Sequence, residues 1–429
     1  MEPKWYVDVS NTETGSKLFE PFDYEQYTQL QQDYFRLSGK EKGVYRGIDQ
    51  YIESHGGPVL TPLMSSYKKM IEEVNNRLCN TEVPSPLLID TMIEKDSIFD
   101  LLSSLEDESY IKDLYKRKKL LVKDGLNTKT STILVDCIRQ GRSLLQAGKN
   151  AEMLAKPLID FYAASTYAYA IIVIHSPLHK SIDSLKGSHG HTYNHATGTI
   201  DFGGDIPSGT FLDLLGAIPV MQINNSNINI KYSLMDSIQK IQNSSIKLSL
   251  VTLLSMVPEL NPYYIQFDPT HKLVHQVSID TQVVNTSSTY NFYIGNGTYR
   301  PDPERLKHCF PKGIISEIQG SYKISVDSKD ISSIKPTIYQ DFRGDLWYIE
   351  SPIDDVVLPE ICLYFLIISA LCNIMRYSPH NWSEILGNKI SSRYSLLISK
   401  FIRLFEMKYP MIISQYLTNY IPLLYKSLS

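Results

Sequence analysis

The sequence predicts a mainly helical α+β protein, with a helical core split in sequence by a β-rich insertion. Three observations carry that expectation. Two strongly apolar helical segments, "PLIDFYAASTYAYAIIVI" (157–174) and "ICLYFLIISALCNI" (361–374), lie about two hundred residues apart. Both open with a proline, Pro157 and Pro359, which suits a first helical turn because its missing N–H has no partner there anyway. Between them, from 222 to 350, the pattern turns to alternation, the period of a half-buried strand. The four sections read from this are an N-terminal helical region (1–130), a first half-core with a histidine-rich loop (131–221), a β-containing insertion (222–350) and a second half-core (351–429).

The elements follow in order. "GKEKGVYRGIDQYIESHGG" reads as a helix closed by Gly56-Gly57, and "TPLMSSYKKMIEEVNNRL" as a second. "SPLLIDTMIEKDSIFDLLSSLED" holds one or two more. "STILVDCIRQGRSLLQAGK" places Ile133, Leu134, Cys137, Ile138, Leu144 and Leu145 on one helical stripe. In the helix that follows, Asp160 is placed to complement the N-terminal dipole. Small residues from Ala163 to Ala170 invite close approach of another helix, and Pro177 stops the run. "NINIKYSL", "KLVHQVSIDTQVV", "STYNFYIGNGTY", "SYKISVDS" and "DFRGDLWYIES" read as strands, with Gly344 in a turn. "SSIKLSLVTLLSMVPEL" reads as helix among them. Two further helices, separated at Pro410, finish the chain.

Composition narrows the function classes. A net charge of −4 over 429 residues argues against a polycation built for duplex DNA. The five cysteines are scattered and form no CxxC pair, so neither a disulfide framework nor a thiolate zinc site is indicated. Free thiols fit a reducing, cytoplasmic setting. The N-terminal stretch lacks the charged and apolar regions of a signal peptide. Asp160 and three tyrosines in the first apolar window, and the shortness of the second, point to core helices and no membrane partner.

Three stretches are candidates for chemistry. Lys112, Lys116, Arg117, Lys118, Lys119 and Lys123 form the one concentrated positive run, a phosphate-contacting patch or a solvated helix face. "KGSHGHTYNHATGTIDFGGD" (186–205) belongs to a wider region in which five of the ten histidines fall within 21 residues. No carboxylate or thiolate accompanies them at ligand spacing, so a polar loop is expected, with neither metal nor cofactor. Gly203-Gly204 lacks a Walker lysine and is flanked by Asp201 and Asp205, which repel phosphate. "RYSPHNW" (376–382) offers Arg376 and His380, which can stabilise a phosphate and move a proton without metal. The structural alternative has Arg376 satisfying helix-end carbonyls and Trp382 plugging the core.

"KPLIDFYAASTYAYAII", the His189-Gly190 pair, "SLVTLLSMVPEL" and "LPEICLYFLIISALCNIMRYSPHNW", in that order, resemble the YaaC-like proteins of bacteria over roughly residues 130 to 420. The resemblance implies a bacterial cytosolic protein with helical halves. His189 and Gly190 match the family pattern while His191 departs from it; in the sensor reading below, His189 and Gly190 are the candidate ligand-binding residues. A looser similarity to HEPN-type helical proteins implies a metal-independent endoribonuclease using Arg376 and His380, although only three residues separate them here. The reading carried forward is a binding or assembly protein, a component of a defence or stress system, whose partner is another protein or a second copy of the chain. Alternatives are the ribonuclease acting on RNA, and a small-molecule sensor with a pocket between Ala164 and His189.

Overall fold

The computed structural model describes the chain except for residues 1–4, 11–16, 23, 46–47, 57–68, 78–84, 90–96, 119–124, 186, 203–208, 226–227, 244–245, 267, 269–272, 285–286, 296–299, 336–337, 342, 354–355, 388–391, 419 and 425–429. Two compact units result, Met1–Glu72 and Glu73–Ser429. The fold class is α+β and mainly helical.

In the first unit an antiparallel hairpin of Trp5–Ser10 and Lys17–Phe22 precedes the Tyr24–Arg36 helix, a pairing missed in a region read as helical. The helix expected over 39–57 is two, Gly39–Lys42 and Ile48–Ser54. A capping box closes the first turn, with Ser38 N–H donating to Glu41 Oε2 at 2.8 Å, and Gly43 caps its other end. Tyr51 packs edge-on against Tyr45 at 5.1 Å and anchors a small cluster with Ile52.

Among the described residues, the second unit is built around four long helices, three of which carry the apolar stripes read from the sequence. The Thr128–Asn150 helix starts at Asn127, whose side chain accepts from Thr130 N–H at 2.8 Å. Its buried stripe (Leu134, Ile138, Gly141, Leu145, Gly148) meets the Lys156–His175 helix so closely that a Cβ on Gly141 would lie 2.5 Å from the Tyr167 ring. The Lys156 helix has Pro157 in its first turn and buries 16 of its 20 residues, so it sits at the centre rather than showing one polar face. The Glu360–Tyr377 helix buries 13 of 18 and packs on it, with Phe161 and Phe365 rings 5.7 Å apart. The two half-cores therefore meet, as the apolar patterning predicts.

Asp160 does not serve the helix dipole. Its carboxyl is fully buried against Gly148, with neither oxygen hydrogen-bonded. Burial, aided by the charge of Glu406 and opposed by Lys156, pushes it up to about 7.

Proline 410 does not divide the last segment. One helix runs Ser392–Leu417 through it, then a strand, Tyr420–Leu424, pairs in parallel with Ser85–Ile89, another strand in sequence read as helical. Packing explains the continuity. Phe401, Phe405 and Tyr409 lie one turn apart, with Phe401 5.2 Å from Tyr364 and Tyr409 stacked on Phe405 at 4.4 Å. Glu406 takes a hydrogen bond from Lys156. Lys408 is buried and donates to Glu259 at 2.5 Å and to Glu360. These contacts before the proline, with Met411, Ile412, Ile413 and Leu417 buried after it, outweigh its roughly 3 kcal/mol helix penalty.

Residues 274–349 form a six-stranded antiparallel sheet in the order Ile314–Ile318, Ser321–Asp327, Ser287–Ile294, Val274–Val284, Leu346–Ile349, Ile338–Gln340. Its inward face buries Phe292, Ile324 and Tyr348 against the Pro303–Cys309 helix and Phe310, a core of its own. The segment 246–260 starts as a strand, Ile246–Ser249, before the Leu250–Ser255 helix. That strand joins Thr199–Phe202 and Thr192–Asn194 in a small sheet that carries the histidine loop.

Candidate functional site at the histidine loop and the end of the Glu360 helix

The histidine-rich stretch is a pinned connection followed by a β-hairpin. Asn194 Oδ1 accepts from Ala196 N–H (3.0 Å) and Thr197 N–H (3.3 Å), and Gly198 takes a left-handed conformation at φ 66°. That turn chemistry, legible in "NHATG", sets His195 at the exposed hairpin tip. The spacing of His191 and His195 is therefore not that of a helix. Gly203-Gly204 lies outside the described residues.

Upstream, the loop is tied to the start of the Thr210–Ala217 helix. The carbonyls of Ser188 and His189 accept from Thr210 and Phe211 N–H at 2.9 and 3.0 Å. The two chains touch backbone to backbone: Gly190 has φ 78°, Gly209 φ 127°, and a Cβ on Gly209 would lie 2.3 Å from Gly190 N. Gly190 thus has a structural reason to be glycine.

His191 is a staple. Its Nδ1 lies 3.1 Å from the His189 carbonyl, which can only accept, so Nδ1 carries the proton. Nε2 then accepts from the Ser369 hydroxyl at 2.8 Å, fixing the loop to the Glu360 helix. Phe211 and Phe365 meet the ring edge-on at 5.8 and 6.1 Å. This enclosure, and secondarily His189, lowers its pKa to about 4. With both nitrogens engaged it is not available as a ligand, and among the described residues no three His, Cys, Asp or Glu side chains converge as a metal set.

The His189 ring lies 6.4 Å from that of His191. It stands edge-on to Phe161 at 5.1 Å on the exposed side of the loop. Partial burial and then the nearby charge of Arg376 hold its pKa below the ordinary histidine value, so the imidazole beside the guanidinium is neutral. Arg376 also contacts Cys372, a buried thiol raised to about 11 mainly by desolvation. Among the described residues Arg376 forms no ion pair, nor does Arg403, whereas Arg77, Arg117, Arg139, Arg142, Arg300 and Arg305 all do. Its guanidinium lies over the Tyr377 ring at 4.9 Å. His195 completes the group, edge-on to Tyr377 at 6.3 Å and to Tyr193 at 5.0 Å, with Nδ1 3.1 Å from Ser378 Oγ.

The remaining candidates fall elsewhere. His380 begins the Pro379–Leu386 helix with its side chain 84% exposed and Nε2 3.5 Å from Glu384, whereas Arg376 faces the loop. Trp382 does plug the core, donating to the Leu154 carbonyl at 3.0 Å, but it does not cover Arg376. On the Glu108–Lys118 helix, Lys112 pairs with Glu108 (3.7 Å) and Arg117 with Asp113 (3.2 Å), the pattern of a solvated face, while Lys116 is exposed. Lys118 ends that helix; Lys119 and Lys123 lie outside the described residues. Ala164, one wall of the expected sensor pocket, is buried, and Tyr409 donates to its carbonyl at 3.5 Å.

This geometry unites every segment that carries the family likeness. The Lys156 helix supplies Phe161, the loop His189, and the Glu360 helix Ser369 and Arg376. The Pro-Glu pairs at 258–259 and 359–360 converge on Lys408. Residues 101–417 match the family described as YaaC-like Protein. The chain belongs to that family. The match starts earlier than 130 and runs through 265–340, so the six-stranded sheet belongs to the YaaC-like region, while the first compact unit lies outside it. No curated protein and no solved structure matches the chain. The Lys156 and Glu360 helices of this YaaC-like fold are long and apolar enough to cross a membrane, yet 78% and 72% of their apolar windows are buried inside the protein.

Arg376 and His189 are each legible in the sequence, but their pairing is not. Nor are Tyr377, Tyr193 and Ser369, for which periodicity offers no signal.

Proposed function

We propose that the protein is a binding protein whose ligand carries a phosphate, held at Arg376 with His189 and His195 around it. The observation that carries this reading is the guanidinium without an acidic partner among the described residues, set beside two histidines on an accessible surface. A guanidinium matches phosphate geometry through paired N–H donors, and charge-assisted bonds of this kind are the strong ones. A cytoplasmic location is part of the same reading, supported by free cysteines at 137, 309, 362 and 372. A bacterial defence or stress role rests on the family resemblance alone. Calorimetry with inorganic pyrophosphate tests the site. Arg376→Ala is expected to weaken binding about tenfold or more, as loss of a charged hydrogen bond implies, with His380→Ala within about twofold of wild type. Unchanged binding by Arg376→Ala would remove the reading.

One observation favours a second reading, the metal-independent endoribonuclease. A neutral imidazole next to a guanidinium can take a proton from a ribose 2′-hydroxyl as that oxygen bonds to phosphorus and the P–O5′ bond breaks, giving a 2′,3′-cyclic phosphate; the imidazolium returns the proton to the leaving 5′-oxygen while the cation stabilises charge on the phosphate. The geometry favours His189 over His380 as the base. RNA cleavage in chelator, lost in His189→Ala and kept in His380→Ala, would support it; no cleavage by wild type would end it.

A further inference from the structure

We propose that this surface takes a nucleotide unit, with its phosphate on Arg376 and its base on the ring of Tyr377. The inference rests on the phosphate reading above and adds the chemical class of the ligand. Tyr377, the last residue of the Glu360 helix, is 61% exposed, yet it is not a loosely placed surface side chain. Arg376 lies over its ring at 4.9 Å, and His195 stands edge-on to it at 6.3 Å with an 82° interplanar angle. His195 is in turn held by Ser378 Oγ at 3.1 Å and by Tyr193 at 5.0 Å and 90°.

Tyr377 thus presents an open aromatic face, held by Arg376 and His195, on which a flat ligand can stack. A ligand that were only an anion would have no use for the ring. One that were only apolar would leave the guanidinium without a counter-charge. A nucleotide satisfies both groups, because every base has a flat π-face that stacks on tyrosine whatever its sequence. The guanidinium over the ring adds a cation–π contribution to the same platform. His189, neutral beside Arg376, offers the phosphate a hydrogen bond without competing for charge.

The test compares AMP, ribose 5-phosphate, a single-stranded oligoadenylate of ten residues and inorganic pyrophosphate, by calorimetry on the full chain. Variants are Tyr377→Phe and Tyr377→Leu, both at an exposed position and checked by circular dichroism. AMP is expected to bind about tenfold more tightly than ribose 5-phosphate, the contribution of one stacked base. Tyr377→Phe should keep that advantage, and Tyr377→Leu should erase it, so that AMP and ribose 5-phosphate bind that variant with equal affinity. Equal binding of AMP and ribose 5-phosphate, or an AMP affinity untouched by Tyr377→Leu, would overturn the base platform and leave the phosphate reading standing. Failure of every phosphate compound to bind wild type would overturn both. An oligoadenylate far tighter than AMP assigns the site to a strand; equal affinities assign it to a free nucleotide.

Discussion

Ser369 and His191, 178 residues apart in sequence, meet at 2.8 Å, and this bond fixes the histidine loop to the Glu360 helix. Because Nδ1 is committed to the His189 carbonyl, Nε2 depends on the serine hydroxyl. Ser369→Ala leaves a buried acceptor unpaired and should cost about 1–3 kcal/mol in urea unfolding. Ser369→Thr, which keeps a hydroxyl, should recover part of it. No loss in Ser369→Ala would show that the loop is held by its aromatic contacts alone.

Two groups set opposite arms of the stability–pH profile. His191 has a folded pKa of about 4, below its unfolded value near 6.5. The folded state binds fewer protons, so its contribution is present above pH 6.5 and is lost as pH falls toward 4, about 3 kcal/mol in all. His191→Phe should flatten that acid arm in urea titrations at pH 4, 5 and 7.

Asp160 acts in the reverse sense. Its folded pKa of about 7 lies above the unfolded carboxylate value near 3.9, so stability falls as pH rises between them. The full cost above pH 7 is about 4 kcal/mol. Asp160→Asn, which keeps the shape and removes the charge, should be more stable than wild type at pH 8 and close to it at pH 4. Equal stability at pH 8 would mean the carboxylate finds solvation there.

At the backbone crossing of Gly209 and Gly190, Gly209→Ala places a methyl 2.3 Å from a backbone nitrogen at φ 127°. Such strain costs about 1–3 kcal/mol. It should also open the amides of Thr210 and Phe211, which bond to Ser188 and His189, to hydrogen exchange. Protection equal to wild type would contradict the clamp.

Lys408 ties together the two Pro-Glu segments. Lys408→Met strands Glu259 and Glu360 in the core and should cost about 3–5 kcal/mol. The carboxyl of Glu360 is already raised, chiefly by burial, with Lys408 opposing. Adding Glu360→Gln to Lys408→Met should restore part of the loss. A double variant no better than the single one would deny that buried charge is the cause.

Much of the fold is decided by the sequence itself. Periodicity places the Thr128, Lys156 and Glu360 helices and four of the six strands of the 274–349 sheet, but not Ile314–Ile318 or Ile338–Gln340, because apolar spacing reports which face each element must bury. Local turn chemistry put Gly344 in a turn, and its φ is 81°. Where local signals and packing disagreed, the tertiary structure decided. Pro410 reads as a break, but aromatic stacking and the buried ion pairs carry the helix through it. Asp160 reads as a dipole partner, but the close Gly148 contact encloses it. The site shows the same division. "RYSPHNW" and "SHGH" were visible as stretches, yet nothing in either says that Arg376 turns to His189 and not to His380. That choice comes from a loop clamped at Gly209 and a helix packed on Phe161, contacts between residues distant in sequence that no local pattern encodes.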